Sequence, residues 1–189
     1  MGKETKQKIK ITRLLEDLKS GNDSKFNAAI KSLQVNGDIT AIEPLVELLL
    51  ADYLSQQNRL ALIELLSTLN LSDAPDEIIR IVKDENFLRV RPILLSTIWN
   101  SKLDYSYFLS DFVEIAVEGD YLDTLECLTI IENLEGPFEE RHILEAQLFL
   151  RDFIESDGKT RDERKAVLIS EIALLLKDFD LDDDIAMYE

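Results

Sequence analysis

The chain has 189 residues, with 38 acidic against 21 basic side chains and a formal net charge of −17. This length suits one domain or two, and 46% hydrophobic residues supply enough apolar material for a sizeable core, which excludes wholesale disorder. The acid excess argues against a generic nucleic-acid or anionic-membrane binder by long-range repulsion, one cysteine excludes an internal disulfide, and one histidine excludes most His-based metal and triad chemistry.

Residues 1–20 are Lys-rich and lack the apolar segment an export signal needs. No stretch approaches 18 uninterrupted apolar residues. The expectation is a cytoplasmic protein without a membrane partner.

Apolar residues then recur at spacings of three and four along the chain. Ile11, Leu14, Leu15 and Leu18 form the first stripe, and Phe26, Ala29, Ile30 and Leu33 the second. Ile42, Leu45, Val46 and Leu49 follow, then Leu62, Leu65, Leu66 and Leu69, then Ile78, Ile79 and Val82. Val90, Ile93, Leu94 and Ile98 mark a sixth stripe, Leu109, Phe112, Val113 and Ala116 a seventh, and Leu122, Leu125, Leu128 and Ile131 an eighth. Two longer helices close the chain, around Ile143, Leu144 and Leu148 and around Val167, Leu168, Ile172 and Leu175. The period is 3.6 throughout, so about ten helices joined by short turns are expected.

Glycines 21, 37, 119, 136 and 158 fall between these stripes. They read as punctuation, because glycine accepts the positive φ that ends a helix. Pro75 and Pro137 suit the first turn of a following helix, and Pro44 lies near the start of another. Pro92 must sit in the first turns of its helix or kink it.

The odd-numbered helices share two adjacent apolar residues with a third three further on. The pattern appears as Leu14-Leu15…Leu18, Leu45-Val46…Leu49, Ile78-Ile79…Val82 and Phe112-Val113…Ala116. In the even-numbered helices Ala29-Ile30 maps onto Ala61-Leu62 and Ile93-Leu94, while Asp52 and Arg59 map onto Asp84 and Arg91, each 32 residues on. Helix pairs at a fixed period in the low thirties mark an α-solenoid. The rival is a compact helical bundle with the same short loops, and the constant offset favours the solenoid.

The segment Gly37-Asp38-Ile39-Thr40-Ala41-Ile42-Glu43-Pro44-Leu45-Val46-Glu47-Leu48-Leu49, followed by Ala51-Asp52 and Asn58-Arg59-Leu60-Ala61-Leu62-Ile63, resembles the HEAT-repeat family. Asp84 to Val90-Arg91 gives a second copy and Phe26 to Ile30 a third, with Asn27 in place of the usual basic residue. The likeness covers residues 22–100 well, 104–134 by period only and 137–177 weakly. It implies an all-α fold, a right-handed α-α superhelix of about five antiparallel helix pairs, with first helices convex and second helices concave. One domain is expected over residues 1–177 and an acidic tail over 178–189.

Four residues stand out as candidate partner-binding positions. Arg59 and Arg91 recur in register, and the resemblance makes them part of an Asp–Arg ladder near the turns, bonding carboxylates or carbonyls. The alternative is that they face a ligand. Trp99 and Tyr105 lie in the one dense aromatic stretch, with Tyr107, Phe108 and Phe112, either as staples between repeats or as interface anchors. Glu139 and His142 are spaced i, i+3, but two ligands are too few for a metal, and a solvated helix turn is expected there. Cys127 reads as core filler. No phosphate loop, catalytic pair or cofactor site is expected.

Residues 1–31 carry eight basic and four acidic groups, and the rest of the chain 13 and 34. The expected function is a non-enzymatic adaptor that binds a protein or peptide, one with a basic surface, along its concave face. Two further classes stay open: an accessory subunit of lyase or chaperone type acting on a client protein, and, more weakly, nucleic-acid binding. A homo-oligomer joined by the basic N-terminal helix and an acidic surface is a further expectation.

Overall fold

The structure, a computed structural model, describes residues 2–155 and 162–186. These residues form α-helices and short 3-10 turns, and no strand occurs among them. Two compact units divide the chain, residues 1–103 and residues 104–189, where the sequence reading draws a single domain over 1–177.

The first unit begins with helix α1 (Gly2–Leu18) packed on α2 (Asp23–Asn36). Gly21 between them is the one described residue with a positive φ, +69°. The Asn22 side chain then accepts the Lys25 backbone N–H at 3.0 Å and starts α2, as short polar side chains do for the unpaired donors of a first turn. α2 ends where Gly37 N–H reaches Leu33 O at 2.7 Å. Gly37 has φ −62°, so positive φ is not its reason. A Cβ there would lie 2.6 Å from Leu33 O, closer than any real contact. Gly119 also has negative φ, −72°, and a Cβ would meet the Asp123 side chain at 2.6 Å. At these two turns the punctuation expected from left-handed backbone is close approach instead. Gly158 lies outside the described residues.

A 3-10 turn, Ile39–Ala41, leads into α3 (Ile42–Leu49), followed by α4 (Gln56–Ser67) and α5 (Ala74–Val82). A second 3-10 turn, Glu85–Val90, precedes α6 (Arg91–Ile98). Pro75 and Pro92 each occupy the second position of a helix, where a missing N–H costs nothing. Pro92 therefore needs no kink. The second helices pack in series, α2 on α4 and α4 on α6, while α3 packs on α5. The register of 32 residues falls inside this core: Ile30, Leu62 and Leu94 are all buried, as are Leu33, Leu65 and Thr97. The Thr97 hydroxyl is satisfied by donating to Leu94 O at 2.7 Å, as a buried polar group must be.

The second unit opens with a 3-10 turn, Ser106–Phe108, and contains α7 (Leu109–Glu118), α8 (Tyr121–Asn133), α9 (Glu140–Glu155) and α10 (Glu163–Ala186). α7 packs on α8 and α9, and α10 packs on α8 and α9. A reciprocal cap starts α8. Asp120 accepts the N–H groups of Leu122 and Asp123, and the Asp123 carboxylate accepts the Asp120 N–H. Cys127 is fully buried on α8. Pro137 lies three residues before α9, outside its first turn. α10 runs on to Ala186, through residues the acid content marks as a tail, and 187–189 lie outside the described residues.

Candidate functional site

Of the ladder expected at Arg59 and Arg91, Arg59 bonds backbone carbonyls, while the Asp52 carboxylate takes a different arginine. Arg59 donates to Leu49 O at 2.5 Å and to Ala51 O at 3.4 Å, the carbonyls at the end of α3. Asp52 instead accepts from Arg89 at 3.3 Å, and Arg89 also donates to Leu50 O. Two guanidiniums thus close the C-terminal end of α3, where unpaired carbonyls carry the negative end of the helix dipole. Arg91 sits half-buried as the first residue of α6. A third guanidinium, Arg80, ties α5 to α3 by bonding Glu77 and Glu43. Its hydrogen bond holds the Glu77 carboxyl below the ordinary carboxylate value, and the two carboxylates hold Arg80 charged.

Lys165, at the start of α10, does for α7 what Arg89 does for α3. Its ammonium donates to Val117 O at 2.8 Å and Gly119 O at 2.5 Å, with the Phe153 ring 5.5 Å away. Burial lowers its pKa, while Asp120, Asp123 and Asp162 pull it back up. Neither Arg89 nor Lys165 shares a repeat period with Arg59.

The aromatic stretch divides between the units. Trp99, at the end of α6 in the first unit, is 42% exposed. Tyr105 in the second unit is 3% exposed. Its ring centroid lies 6.3 Å from that of Phe108 and 6.4 Å from that of Phe112, in tilted pairs that favour ring packing. Tyr105 is therefore a core side chain, whereas Trp99 and Tyr107 are presented to solvent.

His142 is not on a solvated turn as the sequence suggested; it is 8% exposed. The reason is the packing of α9 on α7, which sets the imidazole edge-on to Tyr107 with centroids 6.3 Å apart. Glu139 lies 3.8 Å from Nε2 and Glu145 3.9 Å from Nδ1, and the Ser110 hydroxyl donates to that same Glu145 carboxylate at 3.2 Å. Nδ1 is buried without a hydrogen-bond partner. Serine, acid and histidine thus meet, but Ser110 bonds the acid and not the imidazole, so the order Ser–His–acid of a relay triad is not formed. Among the described residues no group of three His, Cys, Asp or Glu side chains could hold a metal ion.

The outward faces of α2, α4 and α6 carry an apolar row. Ala28 and Leu60 are exposed at equivalent positions and Pro92, next in register, is half-exposed. Val35 and Trp99 stand seven residues beyond Ala28 and Pro92, on the same helix faces, and both are exposed. A cavity of about 200 Å³ lies between the ends of α2 and α4 and the start of α3, floored by Leu33, Ile42, Leu45 and Leu65. That is smaller than the roughly 300–1,000 Å³ of small-molecule sites.

Charge is partitioned sharply. Residues 1–103 contain 14 basic and 14 acidic side chains; residues 104–189 contain 7 and 24, so the second unit carries the entire −17. No helix among the described residues is long and apolar enough to cross a membrane. Compared with protein-family models, with curated proteins and with solved structures, the chain matches none.

Proposed function

We propose that this chain is a helical-repeat adaptor of the HEAT-like, superhelical kind, without catalytic chemistry, which binds a peptide or protein along the outward faces of its second helices. The observation that carries the reading is the exposure of Val35, Leu60 and Trp99, one on each of three helices that pack in series. Helices stacked at a constant repeat offer an extended surface, and a client helix or strand needs anchors along it. The guanidiniums of Arg59 and Arg89 are engaged with the backbone of their own unit, so the apolar and aromatic positions are left to do the binding. The acidic second unit favours a client with a basic surface and speeds its encounter more than it strengthens the complex.

The test places a photo-crosslinking side chain at Leu60 or Trp99, and at Glu47, an exposed position on the first helix α3. One discrete cross-linked product from Leu60 and Trp99, absent from Glu47, supports the reading. Products from Glu47 alone would refute it.

A further inference from the structure

We infer that a second copy of this chain docks its helix α1 along helix α10. This contact uses neither α2, α4 nor α6, the helices of the client surface. On α1, Lys6, Ile9, Lys10 and Arg13 are all exposed, with Ile9 at 57%. Their spacing of i, i+3, i+4 and i+7 puts them on one face. On α10, Val167, Glu171, Leu174 and Asp178 are exposed at i, i+4, i+7 and i+11, with Val167 at 59% and Leu174 at 54%. Both helices thus carry an apolar residue flanked by charge, Ile9 between basic side chains on α1 and Leu174 between Glu171 and Asp178 on α10. No ion pair among the described residues engages any of these charged side chains.

The spacings match. Lys6 and Arg13 are seven residues apart, as are Glu171 and Asp178, and Val167 and Leu174. Seven residues of helix rise about 10.5 Å. Ile9 laid level with Leu174, the two helices running parallel, brings Lys6 beside Glu171 and Arg13 beside Asp178, because the steps of three and four residues are the same on both helices. Pairing α10 with α10 of another copy would instead oppose like charges, at a cost of the same kind as the gain. The occupant that fits is therefore basic, and this chain supplies one. Because α1 and α10 are different surfaces, the contact is head-to-tail. Each bound copy leaves one basic and one acidic stripe open, so assembly continues or closes as a ring.

Sedimentation velocity of the full chain over a range of concentrations tests this. At about 0.01 M salt the sedimentation coefficient rises with concentration; at about 1 M salt, where the Debye length falls from about 30 Å to about 3 Å, it stays monomeric. Two charge-reversed chains sharpen the test, K6E/K10E/R13E and E171K/D178K, each first verified as folded by circular dichroism. Each alone should be monomeric at low salt, and an equimolar mixture should assemble again, since the reversed stripe of one meets the reversed stripe of the other. A wild-type monomer at low salt at every concentration, assembly unaffected by either reversal, or a mixture that stays monomeric would overturn the inference.

Discussion

Replacing Lys165 by methionine removes a buried ammonium and keeps its hydrocarbon stem. Two charge-assisted hydrogen bonds disappear, to Val117 O and Gly119 O, and the carbonyls at the end of α7 lose their partner. Bonds to charged groups contribute about 1.5–3 kcal/mol each, but the desolvated ammonium, whose lowered pKa records the cost of its burial, no longer has to be buried. The expected net loss is about 2 kcal/mol. The only cysteine, Cys127, is fully buried on α8, so pulsed labelling of its thiol in urea reports the opening of the second unit. With a slope of about 2 kcal/mol per molar urea, the midpoint should fall by about 1 M. Lys165→Arg, which keeps a charged donor, should lose less. A Lys165→Met midpoint within about 0.2 M of the wild type would mean that water satisfies these carbonyls and that the capping argument is mistaken.

Tyr105→Ala should cost the second unit about 3–5 kcal/mol by the same thiol labelling, and Trp99→Ala should cost the first unit less than about 1 kcal/mol by circular dichroism in urea, because one ring is enclosed and the other half-solvated. Equal losses would contradict the burial of Tyr105. Gly37→Ala should destabilise the first unit by about 1–3 kcal/mol through the clash with Leu33 O, measured by Trp99 fluorescence; an unchanged midpoint would show that the turn adjusts freely. Folding depresses the Glu77 pKa below its ordinary value of 4.5, so the unfolded chain binds more protons there. That stabilisation is complete above about pH 4.5 and is lost as pH falls through the lowered folded value. Glu77→Gln should flatten this acid limb by less than about 1 kcal/mol, since its Arg80 partner is half-exposed. A limb of unchanged steepness would remove Glu77 as its source.

The helices were legible because each buries a stripe at the helical period. Ile42, Leu45, Val46 and Leu49 announce α3 as residues, and the same four are buried in the structure. Register was legible as well: Ile30, Leu62 and Leu94 occupy one repeated core position. What the chain conceals is where one element's end meets another's side chain. Arg59 belongs to the repeat, and its partners, the carbonyls of α3, have no sequence identity to read. Arg89 and Lys165 perform that same capping with no periodic signal at all. His142 lies beside Glu139, Glu140 and Arg141, and so looks solvated until α9 packs on α7. Tyr105 and Trp99 are close in the chain and differ in burial, because the 3-10 turn at Ser106–Phe108 begins a new packing unit. Local composition does not encode that change.

The charge partition also changes what neutrality means for this protein. The isoelectric point is about 4.4, but the two units do not discharge together. Near that pH, protonation of carboxylates leaves the first unit, balanced at neutral pH, with a surplus of lysine and arginine. The second unit, with 24 acids against 7 bases, is still anionic. Zero net charge is then a cationic body tethered to an anionic one, and neighbouring molecules attract rather than merely cease to repel. Isoelectric precipitation should accordingly be dispersed by moderate added salt, which screens the attraction between the unlike units of neighbouring molecules.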